Sequence, residues 1–252
     1  MRVFSRWVGI WVLVMVALSA ACAADSELAI SESQKDQLKA LASNTRDRTG
    51  RERDALRRAR AELLQVYSNY DLDEHKARAA RDKVSAAQLN LLNIHLDNEI
   101  ALRDILTSDQ FQAFRNLMKR RMRDPQMLVL SPPEDAILDK LPDKQMLDLL
   151  GIPAEQRKRL EPASGNIKAI QGLRDSSKQL LDLYAAFDLD SAAARKLIGS
   201  IHRRQAYLLM LQHYRQKAIR QVLSEDQFQT LRQEIAKRIA EHQPRRERQR
   251  RR

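Results

Sequence analysis

The chain has 252 residues, with 45 Lys+Arg against 33 Asp+Glu and a formal charge of +12. One cysteine, five histidines and six glycines speak against a disulfide framework, a cysteine metal cluster and a Gly-rich phosphate loop. With no nucleophile–base pairing visible either, the sequence reads as a protein that is not an enzyme and needs no cofactor.

Residues 1–23 read as a secretory signal peptide. Arg2 and Arg6 precede an apolar run from Trp7 to Leu18, and Ala20-Ala21-Cys22-Ala23-Ala24 supplies small residues for cleavage after Ala21 or Ala23. Acylation at Cys22, or an uncleaved membrane anchor, is the alternative reading of the same segment. Export places the mature chain in the periplasm.

The rest reads as all-α. Gly and Pro are scarce, Ala, Leu, Gln, Lys, Arg and Glu dominate, and no alternating β-branched run suggests a strand. A first helical unit is expected over 24–123, with helices near 31–48, 51–70, 73–105 and 107–123. A connecting segment with short helices follows over 124–151, broken by Pro125, Pro132, Pro133 and Pro142. A second unit is expected over 152–242, with helices near 153–160, 163–187, 190–222 and 224–242. Asp73 and Asp190 are placed to start the long helices, which makes Asp71-Leu72-Asp73 and Asp188-Leu189-Asp190 corners between antiparallel helices. Residues 243–252 read as a basic disordered tail with six arginines and one glutamate. The tail has no aromatic residue to stack on bases, so anionic lipid or an acidic protein suits it better than nucleic acid.

The two units are copies. Residues 61–122 align with 178–239 at a constant offset of 117, without a gap and with 20 identities in 62 positions. A unit of this length is too long for a solenoid repeat, so the chain is a tandem duplication of a small helical domain.

Both copies carry one local motif. In Leu106-Thr107-Ser-Asp-Gln110-Phe111, Thr107 is placed as N-cap and Gln110 to reach back to it, which is a capping box. Leu106 and Phe111 form the matching hydrophobic staple. Leu223-Ser224-Glu-Asp-Gln227-Phe228 repeats every element. Weaker copies open the first helix of each unit, as Ile30-Ser31-x-x-Gln34 and Ile152-Pro153-x-x-Gln156, with proline replacing the hydroxyl in the second.

These boxes resemble the LTxxQ-motif periplasmic family. The run from Arg103 through Leu106, Thr107 and Gln110 to Phe114 and Lys119-Arg120-Arg121 is similar to its Spy/CpxP branch. ZraP and CnrX belong to the same family. The resemblance covers about 30–123 and 152–242. It implies two tandem Spy/CpxP-like four-helix units with long antiparallel helical hairpins, as a homodimer or an intramolecular pseudo-dimer. It further implies an ATP-independent chaperone or envelope-stress protein that binds unfolded or misfolded envelope proteins on apolar helical surfaces.

Leu91, Leu92 and Leu96 in the first copy, and Tyr207, Leu211 and Tyr214 in the second, are the candidate client-binding surface. Ordinary core is the competing explanation of such stripes. The bulkier second set predicts stronger client binding by the second unit. A metal-binding or metal-sensing protein is one alternative. His95 and Glu99, four apart on one helix, are its weak candidates, and two ligands are too few for a site. A regulatory partner of an inner-membrane sensor kinase, docking by its basic surface, is the other.

Overall fold

The computed structural model describes residues 29–121, 148–158 and 165–250. The signal segment with Cys22, most of the connecting segment and the last two arginines lie outside the described residues. Within them the chain is all-helical: α1 (Glu32–Val66), α2 (Glu74–Ile105), α3 (Ser108–Arg121), α4 (Ala154–Lys158), α5 (Gly165–Ala185), α6 (Ser191–Val222) and α7 (Glu225–Arg250). None of these helices is long and apolar enough to cross a membrane.

One expected break is absent. The sequence suggests separate helices near 31–48 and 51–70, yet α1 runs unbroken through Gly50. A glycine inside a helix costs about 1 kcal/mol relative to alanine, which is too little to break a helix held by packing on both sides. Leu38, Ala42, Thr45, Thr49, Leu56, Ala59, Leu63 and Val66 are all buried, at steps of three and four with one step of seven across Gly50, which keeps them on one helix face. The first copy therefore has three described helices rather than four. At the other end, α7 extends helical backbone through Pro244 to Arg250, into the region expected as a disordered tail. Arg, Gln and Glu are good helix formers, and they dominate this stretch.

The equivalent helices α2 and α6 match in length. Each of α2 and α6 has 32 residues and is about 48 Å long at 1.5 Å per residue. Asp73 and Asp190 cap their starts: one carboxylate accepts from the Lys76 N–H at 2.9 Å, the other from the Ala193 N–H at 2.9 Å.

The described chain forms two compact units, and each draws on both sequence copies. Of the described residues, unit 1 holds 29–58, 83–121 and 169–205, and unit 2 holds 59–82, 148–158, 165–168 and 206–250. Among the described residues, unit 1 contains at least two apolar clusters. One joins Leu38 and Ala42 of α1 to Leu102, Leu106, Phe111, Phe114 and Leu117. The other joins Leu96 of α2 to Leu180, Tyr184, Ala194, Ile198 and Ile201 of α5 and α6. Unit 2 is built around Leu150, Ile152, Ile219, Val222, Leu223, Phe228 and Leu231.

Candidate functional site

The motif residues make two kinds of contact. Locally, the Thr107 N–H donates to Gln110 Oε1 at 3.0 Å, and the Gln110 N–H donates to Thr107 Oγ1 at 3.4 Å. Ser224 and Gln227 repeat this at 3.0 and 3.3 Å, and Ser31 and Gln34 at 2.9 and 3.2 Å. These reciprocal pairs are capping boxes, each stabilising a helix start by about 1 kcal/mol. Leu106, Phe111, Leu223 and Phe228 are buried beneath them.

The second contact reaches across sequence. Gln34 Nε2 donates to Gln110 Oε1 at 2.8 Å and to the Ile105 carbonyl at 2.8 Å, while Gln110 Nε2 donates to the Ala29 carbonyl at 2.9 Å. Two boxes of one copy thus hold each other, with Ile30 packed on the same cluster. In the second copy Gln227 Nε2 donates to the Leu150 carbonyl at 3.0 Å, and Ile152 is buried in the unit 2 core. Gln156, behind Pro153, is exposed.

An arginine stands three residues before each of the last-helix boxes, and both arginines close helix ends. α5 ends at Ala185, which leaves carbonyls without intrahelical partners. Arg103 supplies the donors: Nε to the Phe187 carbonyl at 2.8 Å, and Nη2 to the carbonyls of Tyr184 at 3.0 Å and Ala186 at 2.6 Å. In unit 2, Arg220 treats the end of α1 the same way. Its Nε donates to the Tyr70 carbonyl at 2.9 Å, and its Nη2 to the carbonyls of Tyr67 at 2.8 Å and Asn69 at 2.7 Å. Every residue in the second list lies 117 positions from one in the first. Each guanidinium also lies over the motif phenylalanine: Arg103 is 4.5 Å from the Phe111 ring centre and Arg220 is 4.6 Å from that of Phe228.

The charge around the two arginines differs. Glu99 is fully buried and binds Arg103 Nη1 at 2.8 Å. Arg115 closes on the same carboxylate oxygen and donates to the Tyr184 carbonyl at 2.7 Å. At the position equivalent to Glu99, unit 2 has the neutral Gln216, which accepts from Arg220 at 3.1 Å. Glu99 is therefore committed to two guanidinium groups. His95 is buried, and its pKa is pushed down to about 3 by burial and then by the charge of Arg53. Among the described residues no group of three or more His, Cys, Asp or Glu side chains is placed to hold a metal ion.

The candidate apolar surface divides in two. Leu91 and Leu96 are buried, and Leu92 packs against the unit 1 core, so the first set is not an open face. Leu96 lies against Leu180 and Tyr184 of α5 and Ala194 of α6, neighbours that helical periodicity does not reveal. On α6 in unit 2, by contrast, Tyr207 is 41% exposed, Met210 39% and Tyr214 56%, with Leu211 half-buried among them. Their spacing of three and four residues puts them on one face.

Two side-chain pairs could suggest chemistry. Ser85 Oγ lies 2.8 Å from His202 Nε2, a nucleophile-to-base distance that sequence spacing hides. Both sit inside helices, where backbone N–H groups are spent on the helix and offer no oxyanion donors. The carboxylates of Asp188 and Asp190 line a shallow cleft with Asp104 and Arg103, but Asp190 is occupied in capping α6.

The sequence reading does not identify Arg220, Arg115, His213 or Tyr67 as site residues. The signal available for the first two is their place in the repeat: Arg103 matches Arg220 and Arg115 matches Arg232 at the same offset. No family model, no curated protein and no solved structure matches this chain.

Proposed function

We propose that this chain is a periplasmic, ATP-independent chaperone or envelope-stress protein of the LTxxQ type, with both halves of a pseudo-dimer on one polypeptide. The observation that carries the binding role is the exposed stripe of Tyr207, Met210 and Tyr214 on α6, with Leu211 between them. Three large apolar side chains on one helix face offer an unfolded segment contact area without requiring a specific sequence. Met210 adds adaptability, since its unbranched chain conforms to many shapes. Tyr207 and Tyr214 replace Asn90 and Asp97 of the first copy, so only the second copy carries bulky apolar groups at these positions.

The pseudo-dimer rests on reciprocity. Arg103 of the first copy closes the α5 end of the second, and Arg220 of the second closes the α1 end of the first. Ser85 and His202, which bond to each other, are themselves 117 apart. A two-fold relation between copies pairs equivalent residues in this way where its axis passes. Commitment of Glu99 to Arg103 and Arg115 weighs against the metal-binding alternative.

The test is suppression of aggregation of a denatured model client, without nucleotide and under chelation. The full exported chain is expected to suppress near stoichiometry. The triple variant Y207S/M210S/Y214S is expected to lose most of that activity at an unchanged melting temperature. Activity that appears only with added zinc would favour the metal-binding branch. Absence of activity under both conditions would leave a regulatory partner of a sensor kinase.

A further inference from the structure

Unit 2 contains a buried histidine that the capping scheme does not require. His213 on α6 is only 4% exposed. Its Nδ1 lies 3.2 Å from the Tyr67 hydroxyl at the end of α1, and its Nε2 lies 2.7 Å from Glu74 Oε2 at the start of α2. One neutral tautomer serves both contacts: Nε2–H donates to the carboxylate and Nδ1 accepts from the hydroxyl. Glu74 also receives Lys217 Nζ at 2.7 Å, and Arg220 holds the Tyr67 carbonyl of the same turn. The corner between α1 and α2 is thereby tied to α6 through one imidazole.

The repeat supplies an internal control. The residues 117 positions away from Tyr67, Glu74 and His213 are Tyr184, Ser191 and Leu96. In unit 1, Tyr184 packs with Leu96 in an apolar cluster, and its hydroxyl makes no hydrogen bond. The equivalent corner there has no histidine link; its charged tie is Glu99 with Arg103 and Arg115.

We propose that His213, Glu74 and Tyr67 form a latch on the α1–α2 corner that opens on mild acidification, and that the equivalent corner of unit 1 does not respond. The charged groups acting on the ring are Glu74 and Arg81 from α2 and Lys217 from α6, and the titratable group facing it from α1 is Tyr67. Tyr67 is pushed up to about 12, chiefly by burial, so its hydroxyl stays protonated and donates to Nδ1 of the neutral ring. A second proton on the ring ends that bond and forces the buried hydroxyl to turn its hydrogen away from Nδ1. Burial and the charge of Arg81 lower the His213 pKa below the ordinary 6.5, against the opposing pull of Glu74. The latched state therefore takes up a proton less readily than the opened state. Its stability is complete above 6.5 and is lost as pH falls below that value. The His213 ring is 6.3 Å from that of Tyr214, so the latch adjoins the exposed apolar stripe. The proposal holds whether or not that stripe binds clients.

The test is hydrogen exchange on the full chain carrying H95Q, which removes the buried histidine of unit 1, at about pH 7.5 and about pH 5.5, corrected for the intrinsic rate. Amides of 67–82 are expected to lose more protection than those of 184–199, by up to about tenfold, the limit set by one proton taken up one pH unit below the opened-state pKa. H213L places the leucine of the first copy at this position and is expected to abolish the difference. E74Q removes a half-exposed partner and keeps the test available if H213L does not fold. It is expected to lower the His213 titration midpoint measured by NMR. Equal loss at both corners, a difference that survives in H213L, or an unmoved midpoint in E74Q would overturn the latch.

Discussion

The corner held by Arg103 and the corner held by Arg220 share one geometry with different electrostatics. Each arginine sits over a phenylalanine and donates to three carbonyls at a helix end. The first is locked by a fully buried glutamate and a second arginine; the second has a neutral glutamine in place of the glutamate, and its second arginine, Arg232, donates to the Ser68 carbonyl instead of meeting a carboxylate. The shape of the corner thus depends on the guanidinium and the backbone, while the carboxylate is an addition. A buried carboxylate is costly to strand, so the first corner should resist small changes and fail severely when its partner is removed.

The largest expected effect breaks this comparison directly. R103A leaves Glu99 buried with Arg115 alone and strips the Ala186 and Phe187 carbonyls of their donor, while Arg115 still holds that of Tyr184. It should cost about 3–5 kcal/mol. R220A strips the Tyr67, Asn69 and Tyr70 carbonyls but strands no charge, and should cost about 2–3 kcal/mol. Urea midpoints of the two variants measure the gap, and equal losses would mean that Glu99 adds nothing to the first corner.

A second measurement sharpens the contrast through pH. His95, on the same helix as Glu99, has its pKa pushed down to about 3. The folded state therefore binds fewer protons than the unfolded state between 6.5 and about 3. Stability present at neutral pH should fall across that window, by as much as about 1.4 kcal/mol per pH unit. H95Q matches the glutamine at position 212 of the second copy and should flatten that slope. Chemical denaturation at several pH values reads it.

The smallest effect concerns the first-helix boxes. Ser31 bonds the Gln34 N–H, whereas Pro153 offers Gln156 only its backbone carbonyl, at 3.0 Å. P153S should restore the hydroxyl and stabilise by less than about 1 kcal/mol, because losing proline also frees the unfolded chain. A rise in melting temperature of a few degrees or less is the expected reading.

The helical class and several helix starts were legible because their causes are local. Asp73, Asp190, Thr107 and Ser224 act on N–H groups three residues away. Gly50 misled because propensity carries about 1 kcal/mol, while the buried seam on both sides of it carries more. Leu91 and Leu96 misled for another reason: a helical period shows which residues share a face, not whether a neighbour covers it. Arg103 reaches carbonyls 81–84 residues away, and Tyr67 meets His213 at a separation of 146. No spacing rule spans such distances. Only the repeat could have suggested that Arg103 and Arg220 do the same work.

Arg103 and Arg220 read carbonyl oxygens rather than side chains, and that governs which changes a lineage can carry. The positions they hold already differ: Ala186 and Phe187 stand opposite Asn69 and Tyr70. Drift there leaves the bonded oxygens in place and passes unnoticed by the arginine. Drift at 103 or 220 has no such shelter, because lysine lacks the planar fork that reaches three carbonyls at once. The corner is inherited as a bend in the main chain with one side chain as its guardian, and the residues that form the bend are free to change.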